Sequence, residues 1–382
     1  GENVCKASAR MGLPPDNELE AHYNWAKNNG ADLRFLKQTK GGFTGVIGIL
    51  DCGEGPTVAM RFDIDALGVI ENKDDSHKPY KFGFSSVNDG TMHSCGHDGH
   101  ASIGLGVAEV LMNIKESLHG KVKLIFQPAE EGVRGAKAIV EKGHLDNVDY
   151  FLASHISDNE EKDGSDLIPG SYGSLATSKY DVFYNGKSAH AGGDPEKGDN
   201  VMLAVATAIL NLQSIPRHSE GITRINVGKV IAGTGRNVIA DQAKMEIEVR
   251  GETSKINNYV EEYALGIIKS SAEMHHVSYD IKKMGGALSL NSDEKLKFMC
   301  QENLKEIKVS TILMNKNSGS EDVSFMMKRV QEKGGQATFM RIFTSTAGPS
   351  HSRGFDFGEE VLAKGIKVFS AAAYDLLMLN NN

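Results

Sequence analysis

The segment Thr91-Met92-His93-Ser94-Cys95-Gly96-His97-Asp98-Gly99-His100 places one thiol, three imidazoles and one carboxylate within ten residues. Gly96 and Gly99 let the backbone turn so that these side chains can face a common centre. Thiolate, neutral imidazole and carboxylate are ligands suited to Zn²⁺, Mn²⁺ or Co²⁺. The plain alternative is a polar loop in which His93 and His100 are satisfied by hydrogen bonds.

Further along the chain the same kinds of residue recur at the ends of apolar runs. Asp63 and Asp65 follow Thr57–Phe62, Glu130 and Glu131 follow Val122–Gln127 and a proline, His155 closes Tyr150–Ser154, and His351 lies near the C-terminus. Two hard divalent ions held close together need roughly seven or eight protein donors and a bridging anion, and this set supplies about that number. Cys95, as a thiolate, has lone pairs for two ions. His97, Glu131, His155 and His351 are the other candidate ligands, and Asp65 is suited to orienting a ligand imidazole. Neighbouring residues cannot easily face one ion together, so Glu131 is read as the ligand and Glu130 as the group that takes a proton from water and passes it to a leaving amine. The alternative for the pair is two exposed acids in the first turn of a helix. A thiol hydrolase built on Cys95 with a histidine base is a rival chemistry, but it leaves Glu131, His155 and His351 without a role.

Positioning these residues requires strands that end together. Residues 17–38 read as a helix broken at Asn29-Gly30 and followed by a turn. Thr44–Leu50, Thr57–Phe62, Val122–Gln127, Tyr150–His155 and Ala337–Phe343 read as strands. Ala101–Lys115, Ala136–Lys142, Glu294–Ile307, a segment from Gly319 to Arg329, and Glu359–Leu379 read as helices. The packing face of the first of these is expected at Ile103, Leu105, Val107, Val110 and Leu111. Alternation of strand and helix, with acids and histidines at strand ends, predicts an α/β fold with a mostly parallel sheet and a site along its carboxyl edge. Between residues 175 and 285 the pattern changes to β-α-β-β-α-β, the order of a ferredoxin-like α+β module. The expected organisation is a metal-binding catalytic domain, residues 1–174 and 286–382, interrupted by an inserted lid or dimerisation domain, residues 175–285. Gly319-Ser320-Glu321-Asp322 reads locally as a helix start with acids in its first turn.

A chain of 382 residues with a formal net charge of −8 and a pI near 5.9 offers nothing to nucleic acid or an anionic membrane. No apolar run is long enough to span a bilayer. The four cysteines, Cys5, Cys52, Cys95 and Cys300, form no CxxC pair, so a reducing, cytoplasmic setting is expected. The start, Gly1-Glu2-Asn3-Val4-Cys5, shows neither an initiator Met nor a basic-then-apolar leader pattern.

Arg61-Phe-Asp-Ile-Asp-Ala-Leu67, Met92-His-Ser-Cys-Gly-His-Asp-Gly-His100, Phe126-Gln-Pro-Ala-Glu-Glu-Gly132, Gly186-Lys-Ser-Ala-His-Ala191, Gly233-Thr-Gly-Arg-Asn-Val-Ile239 and Gly319-Ser-Glu-Asp322 resemble, in order and spacing, the amidohydrolase branch of the aminoacylase/carboxypeptidase-type dinuclear metallopeptidases. The resemblance implies two divalent metal ions per subunit, Mn²⁺ or Zn²⁺, held by Cys95, His97, Glu131, His155 and His351, with catalysis by Glu130. It implies that the insert mediates a homodimer, or a heterodimer with a related subunit. His190 would then reach the partner's site to bind the developing oxyanion, and Asn237 and Arg250 would bind a substrate carboxylate. The expected substrate is an N-acyl amino acid with an aromatic acyl group and glutamate as the amino acid. The rival readings are a broader aminoacylase or dipeptidase and an inactive metal-binding subunit. The sequence departs from the branch in two places. The chain starts after the position expected for further N-terminal helices, and Pro349-Ser-His-Ser-Arg-Gly354 lacks the proline that often follows two residues after the histidine.

Overall fold

The computed structural model describes residues 4–158, 164–312 and 319–378. The first three residues and Leu379, the expected end of the last helix, lie outside the described residues. In chain order the strands are β1 Val46–Asp51, β2 Thr57–Asp63, β3 Lys121–Gln127, β4 Tyr150–Asp158, β5 Leu167–Ile168, β6 Tyr172–Ser174, β7 Ala176–Asn185, β8 Thr223–Ala232, β9 Gln242–Gly251, β10 Ser278–Ala287, β11 Leu290–Asn291, β12 Gln336–Thr344, β13 Thr346–Ala347 and β14 Asp356–Phe357. The helices are α1 Asp16–Asn28, α2 Leu33–Thr39, α3 Lys78–Lys81, α4 His97–Asn113, α5 Ala136–Val140, α6 Val201–Gln213, α7 Ser254–Met274, α8 Glu294–Glu306, α9 Val323–Glu332 and α10 Glu360–Met378.

The central sheet has the order β1-β3-β2-β4-β12-β5. Strands β3, β2, β4 and β12 are mutually parallel, and the edge strands β1 and β5 run antiparallel to their neighbours. Its inner strands are buried on both faces, as parallel strands covered by helices must be. Val58, Met60 and Phe62 of β2 point into a core completed by α4, α8 and α10. Ala59, with Ile125, Phe151 and Phe339, faces α5 and α9. Parallel strands end at the same edge, so Asp63, Gln127 and the close of β4 are brought together there.

Strands β10-β7-β9-β8 form a separate antiparallel sheet. Their chain order around α6 and α7 is that of the ferredoxin-like module. The strict alternation of β9, with Ala243, Met245, Ile247 and Val249 buried, explains why one face packs on the helices while the other carries Lys244, Glu246, Glu248 and Arg250. The chain leaves and re-enters the larger unit through the paired strands β6 and β11. Among the described residues no helix is long and apolar enough to cross a membrane.

Three expectations need correction. The first 38 residues contain two helices rather than one. More consequentially, α4 starts at His97, not Ala101, so His97 and His100 belong to its first turns. Gly96, at φ 86°, makes the left-handed step into that helix, a conformation that a side chain disfavours. Helix α4 also rotates Leu105 outward, 65% exposed, and packs through His100, Ile103, Gly104, Val107 and Leu111. Its crossing with α10 is close: a Cβ on Gly365 would sit 2.4 Å from Ile103 Cδ1 and 2.9 Å from Cγ1. Gly365→Val is therefore expected to overpack this contact and lower stability by roughly 1–3 kcal/mol, measured by urea unfolding beside the parent protein.

Candidate metal centre

The carboxyl edge of the sheet gathers most of the expected residues. Cys95 Sγ lies 3.4 Å from His155 Nε2. His97 Nε2 lies 4.0 Å from Glu131 Oε1, which is 3.5 Å from His351 Nε2. The groups Cys95/His97/His155, Cys95/Glu131/His351 and His97/Glu130/Glu131 each bring their ligand atoms within 4.8 Å of one another. His351 reaches this edge because its backbone N–H donates to the Ser94 carbonyl at 2.7 Å, in a left-handed conformation, φ 65°. Such a backbone for a non-glycine residue is a strain that functional sites often hold.

Two of the imidazoles are set by backbone carbonyls. His97 Nδ1 donates to the Asp65 carbonyl at 3.0 Å, and His155 Nδ1 donates to the Ile156 carbonyl at 2.5 Å. His155 therefore presents Nε2 as its lone-pair nitrogen, and His97 would present the same nitrogen once a metal displaces its proton. Asp65 thus orients His97 through its main chain. Its carboxylate does something the sequence did not suggest, accepting the N–H groups of Glu130 and Glu131, both at 2.9 Å. That pair rides on a contorted loop in which Ala129, Gly132 and Val133 have φ of 57°, 92° and 58°. Glu130 and Glu131 are therefore not first-turn acids of a helix, and α5 begins only at Ala136.

The electrostatics calls for a cation. Buried His97 Nε2 and Glu131 Oε1 have no hydrogen-bond partner, and orphaned buried polar atoms are costly. Burial and the nearby Glu131, Glu321 and Glu130 push the Cys95 thiol up, so Cys95 is not a thiolate nucleophile by itself. Burial also raises Glu130 well above the usual carboxyl range, reinforced by Glu321 and Asp322, and brings Glu321 to about 7. Burial lowers His155 strongly, keeping it neutral. For His97 burial is outweighed by Asp63 and Asp65, and it is pushed up to about 9. An imidazole nitrogen and a carboxylate oxygen without hydrogen bonds, beside a thiol and crowded among acids, fit a divalent metal ion.

Beneath this layer lies a charged network that sequence reasoning missed. Arg61 is 1% exposed. It donates from Nε to Gln127 at 2.9 Å, pairs with Asp63, and reaches Asp322 at 3.3 Å. Asp322 accepts further bonds from Gln127 at 2.9 Å and from the N–H groups of Gly135 at 2.9 Å and Ala136 at 2.8 Å. It is fully buried, not an exposed acid of a first helical turn. His100 donates from Nδ1 to Asp63 and accepts the Ile156 N–H on Nε2 at 2.8 Å. Both its nitrogens are thus used, so we read the Asp63/His97/His100 cluster as a hydrogen-bonded support rather than a metal site. The plain reading of His100 is the right one. The available signal was an arginine inside the apolar run of β2, because a buried guanidinium requires buried acceptors.

The structure does not bring His190, Asn237 and Arg250 into this cluster. His190 and Asn237 adjoin each other on an exposed part of the smaller unit, where Ala191 N–H donates to the Asn237 carbonyl at 3.0 Å. Arg250 lies on the open face of β9, 3.0 Å from Glu248. Asp322→Ala would leave the Arg61 charge buried with one acid fewer. A loss of roughly 3–5 kcal/mol is expected for a broken buried pair, read from urea unfolding of the metal-free protein.

The sequence profile of peptidase family M20/M25/M40 matches residues 59–375. The chain is 41% identical over 377 residues to a p-aminobenzoyl-glutamate hydrolase chain of Escherichia coli (strain K12), covering 98% of this chain and 86% of that protein. It is 42% identical to indole-3-acetyl-aspartic acid hydrolase of Enterobacter agglomerans over the same shares of the two chains. The fold superposes on the crystal structure of an aminobenzoyl-glutamate utilization protein from Klebsiella pneumoniae with a TM-score of 0.82 at 37% identity, covering 98% of this chain and 85% of the other.

Proposed function

The chain belongs to peptidase family M20/M25/M40 and is a metal-dependent amide-bond hydrolase, and we propose that it cleaves p-aminobenzoyl-glutamate to p-aminobenzoate and glutamate. The name of the p-aminobenzoyl-glutamate hydrolase relative supports this substrate, and the relative named for indole-3-acetyl-aspartic acid supports the wider class of N-acyl acidic amino acids. The observation that carries the site reading is the pair of buried ligand atoms without a hydrogen bond, His97 Nε2 and Glu131 Oε1, beside Cys95, His155 and His351. We assign those five residues to two divalent ions, Mn²⁺ or Zn²⁺, with Cys95 common to two of the ligand groups. When bound, such ions polarise a carbonyl and lower the pKa of water.

The protein's own groups supply the rest. Glu130, buried and easily protonated, takes a proton from the attacking water and returns it to the leaving nitrogen. Asp65 holds Glu130 and Glu131 in place through their N–H groups. His190 Nδ1 accepts the N–H groups of Gly192 at 3.1 Å and Gly193 at 2.9 Å, which leaves the proton of the neutral ring on Nε2. Exposed on the inserted unit, residues 175–285, it is suited to donate to the carbonyl oxygen in a second protomer's site. Asn237 beside it and Arg250 are assigned to the substrate carboxylate. The remaining segments, 1–174 and 286–382, form the metal-binding domain in this scheme, and the inserted unit pairs two protomers, identical or related. The described cysteines are all free, in keeping with a cytoplasmic setting.

Purified protein is expected to release glutamate from p-aminobenzoyl-glutamate, to lose that activity on chelation, and to regain it with Mn²⁺ or Zn²⁺. Retention of full activity in metal-free protein would overturn the site reading. Glu130→Gln is expected to reduce kcat by roughly 10²- to 10⁴-fold with metal content unchanged by elemental analysis; unimpaired turnover would remove Glu130 from its role.

A further inference from the structure

We propose that the cavity between the N-terminal segment and the Glu130–Glu131 loop receives the amino-acid half of the substrate, and that Arg10 and Arg134 recognise its side-chain carboxylate. This rests on the reading of the substrate as an N-acyl glutamate and adds the residues that select the acidic side chain. The cavity measures about 540 Å³, within the range of small-molecule sites. Asp65 and Glu131 lie in its lining, so it adjoins the loop that carries one of the candidate ligands. Leu13, Leu19 and Leu67 supply apolar lining, and Arg10 and Arg134 supply the positive charge.

Neither guanidinium has a carboxylate partner among the described residues. Arg134 donates to the Glu131 carbonyl at 3.3 Å and to the Gly12 carbonyl at 2.8 Å. Arg10 donates to the carbonyls of Gly41 at 2.7 Å and Gly42 at 3.3 Å and lies 3.9 Å over the Phe43 ring. Neutral acceptors hold both groups in place without neutralising them, and a guanidinium retains donors beyond these bonds. A half-buried, oriented, uncompensated guanidinium is a strong site for a carboxylate.

A second cavity of about 350 Å³ shares Ala66 with the first but has the opposite character. Phe84 and Phe355 line it together with Asp98, Asp356 and Glu359. It repels a carboxylate and suits an aromatic ring bearing an amino group. Only the first cavity has arginines in its lining, which favours it over the second for the carboxylate end of the substrate.

The test is kcat/KM on p-aminobenzoyl-glutamate and on its glutamine analogue, which has the same shape and a neutral side chain. Parent protein, Arg134→Met, Arg134→Lys and Arg10→Met are compared, each in its metal-loaded form. A charged hydrogen bond is worth enough that Arg134→Met should lower the glutamate value roughly 10- to 100-fold. The glutamine value should change by less than about threefold, because it never used the charge. Arg10→Met should shift the ratio in the same direction, and Arg134→Lys should keep part of it. The ratio of two substrates on one preparation cancels any loss of folded protein. An equal fall for both substrates would show that the arginines only brace the N-terminal segment and would overturn the inference while leaving the substrate assignment intact. A parent protein that hydrolyses neither compound would instead overturn the substrate assignment, and the inference with it.

Discussion

The buried guanidinium of Arg61 is the constraint on which the site depends. A charge removed from water must be matched by acceptors of good geometry, and here they come from three separate stretches of chain: Asp63 on its own strand, Gln127 at the end of β3, and Asp322 at the start of α9. Asp322 in turn ties down the backbone at Gly135 and Ala136, where α5 begins. Meeting one charge therefore locks the ends of two strands and two helices to one another. Those are the elements from which the loop carrying Glu130 and Glu131 departs.

From that base the order passes upward. Asp63 fixes His100, and His100 accepts the N–H of Ile156, next to His155. Asp65 fixes the N–H groups of both glutamates and, by its carbonyl, the tautomer of His97. Two aspartates two residues apart thus serve different layers. The candidate ligand side chains are positioned by main-chain groups and buried acids. The excess of carboxylates around them is offset in part by Arg61 and by the raised Glu130 and Glu321, and a divalent ion would offset the rest.

The smaller unit obeys a different logic. It has its own apolar core between α6, α7 and one face of the β10-β7-β9-β8 sheet. It touches the larger unit at the ribbon of β6 and β11 and where β10 passes the Glu130–Glu131 loop. A Cβ on Gly285 would lie 2.1 Å from the Gly132 carbonyl oxygen, so only a glycine permits that approach. A module with its own core can carry His190 and Asn237 outside their own chain's candidate metal cluster without disturbing the core that builds it.

Local pattern alone determined the alternation of strands and helices, the ferredoxin-like insert and the candidate ligands, because apolar periodicity and metal-ligand chemistry are written in neighbouring residues. It put Cys95, His97, Glu131, His155 and His351 at one edge, where the fold brings them together, since parallel strands must end together. It misjudged Leu105, which two residues on from Ile103 stands on the opposite side of α4 from the buried face of Ile103, Val107 and Leu111. It also read Glu130-Glu131 and Glu321-Asp322 as open to a helix-start explanation. The partners that decide those cases, Asp65 for the first pair and Arg61 and Gln127 for Asp322, lie 65 or more residues away. Only the tertiary structure could show which acid is buried, which imidazole nitrogen is free and which arginine lacks a counter-charge, because burial and pairing are properties of distant segments brought into contact.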